Sequence, residues 1–208
     1  MGWADLEDGI PTKEHIYQIQ GISPQRQAFD RALIRGARKA TDFTARHWLF
    51  MMNSLNLAMV LGVVLAPLFA AVGWLWPANL LYTLYDPFCH QLPQRSFFIF
   101  GQQFAVCQRD IAIYTAFLVA GLLFLTVRHR LRPLPWWLFI LFAAPMAVDG
   151  FTQLFGWRES AWELRLITGF MFGIGATWVT YPYMERLTKD VLFPVKKGGE
   201  AIDSGLGQ

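Results

Sequence analysis

The chain has 208 residues, 54% hydrophobic, 16% aromatic and only 16% charged, with a mean hydropathy of +0.31. Soluble domains carry about 25% charged residues, so this composition excludes an ordinary soluble protein and implies a membrane protein. The net charge of +3 reflects an uneven spread of Lys and Arg and gives no reason to expect nucleic acid as a partner.

Residues 1–47 are soluble in composition. Asp5, Glu7 and Asp8 stand where a cleavable signal peptide would be basic, so the first span is expected to act as its own insertion signal. Ala28, Phe29, Ala32, Leu33, Gly36, Ala40 and Phe43 recur at near-helical spacing, with Arg31, Arg35, Arg38 and Lys39 between them. This predicts a basic amphipathic helix on the cytoplasmic membrane face. A solvated lead-in helix or a docking arm for a partner subunit are the alternatives.

Four apolar stretches follow, at about 49–76, 111–127, 134–157 and 162–183. A hydrocarbon core needs roughly 20 helical residues, which the second only approaches. Backbone groups in lipid must be satisfied internally, and the alternation of a membrane barrel is absent, so the expected fold is all-α with four transmembrane helices. The first span carries Ala58, Gly62, Ala66 and Ala70 at intervals of four, and the last carries Gly169 and Gly173. Such small faces let helices approach closely, within the bundle or against another membrane subunit. Pro67 and Pro145 lie inside spans, and Pro133 and Pro135 suit a helix start. An ordered, greasy loop, 77–110, joins the first two spans, with a short interfacial helix over 79–85 and a hairpin around Gly101. The expected domains are the arm 1–47, the membrane domain 48–184 and a disordered polar tail 185–208.

Lys and Arg set the orientation. The arm, the 128–132 loop and the tail hold 14 of the 18 basic residues. Both termini are therefore expected in the cytoplasm, in the cytoplasmic membrane of a bacterium or archaeon. The loop 77–110 then faces an oxidising compartment, where disulfides persist.

Both cysteines, Cys89 and Cys107, lie in that loop, with His90 beside the first and Asp110 after the second. A Cys89–Cys107 disulfide is one reading; its closed loop would contribute roughly 3 kcal/mol. A metal site of Cys89, His90, Cys107 and Asp110, holding zinc or another transition metal, is the second. A reactive thiol pair is the third, although C-x-x-C is missing. Haem is not expected, because C-x-x-C-H is absent. Asp149, in the third span, is an intramembrane acid and so a default functional residue. Gln153 shares its helix face, and Arg165 or Arg109 is the expected ion partner.

Cys89-His90-Gln91, Arg95-Ser96-Phe97, Gly101, Cys107-x-Arg109 and Tyr114, followed by Asp149-Gly150-x-x-Gln153, Arg158-x-Ser160 and Arg165-x-x-Thr168-Gly169, carry a resemblance. The chain resembles the domain-of-unknown-function family 2085 of bacterial and archaeal membrane proteins, over roughly residues 77–175. Asp110 stands where that pattern has a further cysteine, and Ala112 where it has glycine. The resemblance brings no activity. It implies that Arg95, Arg109, Asp149, Gln153, Arg158 and Arg165 form one polar pocket with the Cys–His loop. The functional expectation is an accessory or structural subunit of a membrane complex, with a stapled outer loop; an extracytoplasmic metal-binding or thiol-redox protein is the alternative.

Overall fold

The computed structural model describes residues 6–7, 10–11 and 23–192. The chain forms two compact units, 1–46 and 47–208. Strands β1 (Leu6–Glu7) and β2 (Ile10–Pro11) pair antiparallel. Helix α1, Pro24–Ala71, starts in the first unit and ends in the second. Ser23 caps it, its Oγ accepting from the Arg26 amide at 3.4 Å, and Pro24 fits the first turn, where an N–H has no partner. The predicted arm helix and first span are thus one helix. Within the first unit Phe29, Leu33, Ile34 and Phe43 are exposed. The expected tail divides: residues 185–192 continue the last helix, and the rest lies outside the described residues.

The second unit continues with α2 (Leu75–Tyr85), a 3-10 turn at Pro93–Arg95, the hairpin β3 (Ser96–Ile99) and β4 (Gln102–Cys107), then α3 (Gln108–Val127), α4 (Trp136–Leu154) and α5 (Trp162–Leu192). The first span stops at Ala71 rather than 76, because Gly73 at φ +80° closes the helix and the Trp74 amide reaches back to the Phe69 carbonyl. Gly156 at φ +69° closes α4 in the same way, with Trp157 N–H on the Thr152 carbonyl.

Among the described residues, three helices are long and apolar enough to cross a membrane: α1, α3 and α4. Only 11% of the most apolar stretch of α4 is buried, so its outward face suits lipid. Helix α5 has the length, but Thr177, Thr180, Tyr181, Tyr183 and Glu185 make it more polar.

Helices α3 and α5 run parallel. Gly169 meets Arg109 and Ala112, Gly173 meets Ile113 and Ala116, and Tyr181 stacks edge-on against Phe124. The Gly169/Gly173 face is therefore occupied within the chain. On α1, Gly62 faces Tyr85 and Ala66 is fully buried, so the middle of that small face is used internally, while Ala58 is exposed. One core cluster joins Val63, Ala66, Tyr85, Cys89, Ala105 and Val106 at the hairpin end; another joins Trp48, Leu49, Phe124 and Tyr181 at the far end. The Tyr85 hydroxyl donates to the Met59 carbonyl at 2.5 Å, tying α2 to α1. Tyr85→Phe is expected to cost about 1 kcal/mol, read as a lower unfolding temperature in detergent.

Candidate functional site: a thiol pair beside a buried ion network

The site is built where the hairpin feeds α3. The Cys89 amide bonds the Tyr85 carbonyl, so the end of α2 places Cys89. Gln91 then takes φ +50°, a left-handed backbone that is uncommon for a non-glycine residue. Its side chain holds the turn, donating to the Tyr82 carbonyl and to Asp86 Oδ1, both at 2.7 Å. Gln103 Nε2 donates to the Gln91 carbonyl at 2.5 Å and to Ser96 Oγ at 3.2 Å, which fixes the loop to the hairpin. The Tyr82 hydroxyl donates to the Gln103 carbonyl. Tyr82, Gln103 and Gln108 are positioning residues that the sequence reading did not single out. Their partners are mostly backbone carbonyls distant in sequence, which leave no local pattern to read.

Cys107 ends β4 and precedes α3, and Asp110 lies in the first turn of that helix. The Cys107 amide donates to Cys89 Sγ at 3.2 Å, and the Cys107 thiol donates to Asp110 Oδ2 at 3.1 Å. Both cysteines are free thiols, and the ligand atoms of Cys89, Cys107 and Asp110 all lie within 4.8 Å of one another. His90, the fourth ligand expected, is not in that group; it is exposed and lines the same cavity of about 200 Å³, together with Gln91, Arg95 and Arg109. The two thiols differ. A hydrogen bond from the Cys107 side chain holds Cys89 below the ordinary thiol value. The same contact, then burial, then the Asp110 charge push Cys107 up.

Asp149 is the second centre, at 2% exposure. Its carboxylate accepts from Arg109 Nη2 on one oxygen and from Arg158 Nη2 at 2.8 Å on the other. Arg158 also donates from Nε to Thr152 Oγ1 at 3.2 Å. Of the two expected partners of Asp149, Arg109 makes the contact. Arg165, 6% exposed, instead donates to Gln108 Oε1 at 2.9 Å and bridges α5 to α3. Gln153 makes no bond to Asp149; its Nε2 is buried without a partner among the described residues. Arg95 lines the thiol cavity. Arg109 thus touches both centres, lining the cavity and binding Asp149.

The family described as "Predicted membrane protein (DUF2085)" matches residues 89–179, a region that begins at Cys89 and includes Asp149 and Arg165. An uncharacterised protein of Methanocaldococcus jannaschii is 43% identical over 142 residues, covering 64% of this chain and 90% of that relative. An uncharacterised protein of Methanothermobacter thermautotrophicus is 41% identical over 96 residues, covering 44% of this chain and 83% of that relative. No solved structure matches. With the apolar helices and the near-complete span of the first relative, these matches make the chain a member of the DUF2085 family of predicted membrane proteins.

Proposed function

We propose that the protein is a four-span membrane protein whose outer loop binds a soft divalent cation, zinc or another transition metal, through Cys89, Cys107 and Asp110. The observation that carries this is the convergence of two sulfurs and a carboxylate within 4.8 Å beside an open cavity. Three protein ligands with an open position are the pattern of a reactive zinc site rather than a closed structural one. Asp110 makes the site harder than one of three thiols. Arg95 and Arg109 on the cavity wall offset the negative charge of the deprotonated ligands.

In this reading α5 is the fourth span, both termini are cytoplasmic, and the hairpin end lies on the outer face of the cytoplasmic membrane. The concentration of 14 of 18 basic residues in the arm, the 128–132 loop and the tail supports it. The proposed domains are the arm 1–47, joined to the first span by α1, the membrane domain 48–184, and the tail 185–208, whose first residues extend α5.

The second reading is an accessory subunit with a Cys89–Cys107 staple. The Cys107 amide on Cys89 Sγ favours it by placing the two residues side by side. With the Gly169/Gly173 face and the Gly62 and Ala66 positions of α1 occupied inside the chain, a partner subunit would be met through the arm, where Phe29, Leu33 and Phe43 are exposed among basic residues.

Elemental analysis and non-reducing mass spectrometry of the full chain, purified in detergent, separate the two. One metal per chain with both thiols free is expected. Cys107→Ser should lower metal affinity by more than the about 10–100-fold typical of losing an outer-shell partner. A metal-free protein with an intact Cys89–Cys107 bond overturns the metal reading in favour of the staple.

A further inference from the structure

We infer that the thiol cavity takes a small phosphate-like oxyanion, received on one side by a metal ion on Cys89, Cys107 and Asp110 and on the other by the Arg95 guanidinium. This rests on the metal reading and deepens it by naming the ligand of the open position. The cavity measures about 200 Å³, below the roughly 300–1,000 Å³ of sites that enclose drug-sized molecules. Cys89, Cys107 and Asp110 line it, and so do Arg95 and Arg109.

Arg95 is half-buried on the cavity wall, and none of the ion pairs among the described residues includes it. Asp110 lines the same cavity, yet its carboxylate accepts from the Cys107 thiol and does not pair with Arg95. An acid and a guanidinium that share a cavity without meeting leave room for a cation on the acid and an anion on the guanidinium. The backbone that presents Arg95 is fixed without any ligand. Its amide bonds the Leu92 carbonyl at 3.0 Å, and Ser96 Oγ donates to the same carbonyl at 3.0 Å.

Charge selects the anion. Arg95, Arg109 and Arg158 stand against Asp110 and Asp149, while Arg165 donates to the neutral Gln108. Glu159 and Glu163 are exposed and pair with none of these arginines among the described residues. Four guanidinium groups thus meet two carboxylates. A divalent cation that displaces two thiol protons adds no net charge, so a surplus of two positive charges persists in the loaded site. A phosphate-type dianion matches that surplus, whereas a monocarboxylate meets half of it. A guanidinium fork also suits phosphate, which accepts two parallel charge-assisted bonds. Arg109 adds its charge from the cavity wall while its Nη2 stays on Asp149.

The test loads the reduced full chain in detergent with one equivalent of cobalt(II), whose visible bands report thiolate coordination and the remaining ligand. Inorganic phosphate should shift the bands saturably, with acetate weaker by about tenfold or more. Arg95→Gln, read at saturating cobalt, should weaken phosphate about tenfold. Arg95→Lys keeps the charge and loses the fork, so it should weaken phosphate by less, and it decides if Arg95→Gln fails to fold. Arg130→Gln, on the exposed 128–132 loop, should leave the titration unchanged. Absent cobalt bands overturn the metal reading and the inference with it. Cobalt bands that fade with phosphate, or ignore it, overturn the inference alone. So does a phosphate response that Arg95→Gln leaves intact, or one that acetate equals. A response to phosphatidic acid without one to inorganic phosphate assigns the cavity to a lipid headgroup and overturns the free anion.

Discussion

Asp149→Leu is expected to destabilise the protein by about 3–5 kcal/mol, the range for breaking a buried ion pair by removing one partner. Asp149 is 2% exposed and accepts from two guanidinium groups at once, one on each oxygen. Its loss strands the Arg109 side chain, which is only 21% exposed and lies near Arg165. Arg158 differs, since its side chain is 44% exposed and can turn to water. Arg158→Ala should therefore cost about 1 kcal/mol or less. Asp149→Asn, which keeps hydrogen-bond acceptance and loses the charge, should fall between the two. Pairing Asp149→Leu with Arg109→Leu should recover part of the loss, because an apolar pair removes the stranded charge. Thermal unfolding in detergent reads all four. Equal losses for Asp149→Leu and Arg158→Ala would mean that Arg109 is not the group Asp149 must satisfy.

This network also marks how far sequence reading reaches. The apolar stretches announce α1, α3 and α4, because membrane helices are grouped runs of apolar side chains. Helix α5 is harder to read, since its threonines, tyrosines and Glu185 bond to neighbours and to its own backbone, as Thr177 does to the Gly173 carbonyl. The fusion of arm and first span into one helix has a readable cause: residues 37–61 contain neither glycine nor proline, so nothing interrupts propagation. The end at Ala71 depends on the left-handed Gly73, one of several glycines that could have played that part. At the site, Asp149 stands out in the sequence because a charge inside an apolar run is costly to keep there, and Cys89 and Cys107 stand out as the two cysteines of the chain, with Asp110 three residues after the second. The contact between Asp149 and Arg109, and that of Arg165 with Gln108, could not be chosen from sequence. Each is set by the parallel docking of α3 on α5, with α4 alongside.

That docking leads to the second large effect. Gly173→Leu is expected to lower stability by about 3 kcal/mol or more, at or beyond the upper end of ordinary overpacking. A Cβ at Gly173 would sit 2.6 Å from the Ala116 Cβ and 2.9 Å from the Ile113 carbonyl oxygen. The second obstacle is backbone, so no side-chain rotation relieves it; the two helices must separate. Separation pulls on the Gln108–Arg165 bridge at one end and the Phe124–Tyr181 contact at the other. Gly173→Ala should do the same to a smaller degree, about 1–2 kcal/mol. Gly36→Ala is the control: nothing lies within 4 Å of its site, so it should be neutral or stabilise α1 by up to about 1 kcal/mol. Thermal unfolding gives the stability, and light scattering of the detergent complex gives the oligomeric state. If Gly173→Leu kept its unfolding temperature and lost only an oligomer, the glycine face would serve association between chains, and the parallel α3–α5 pair would lose its central contact.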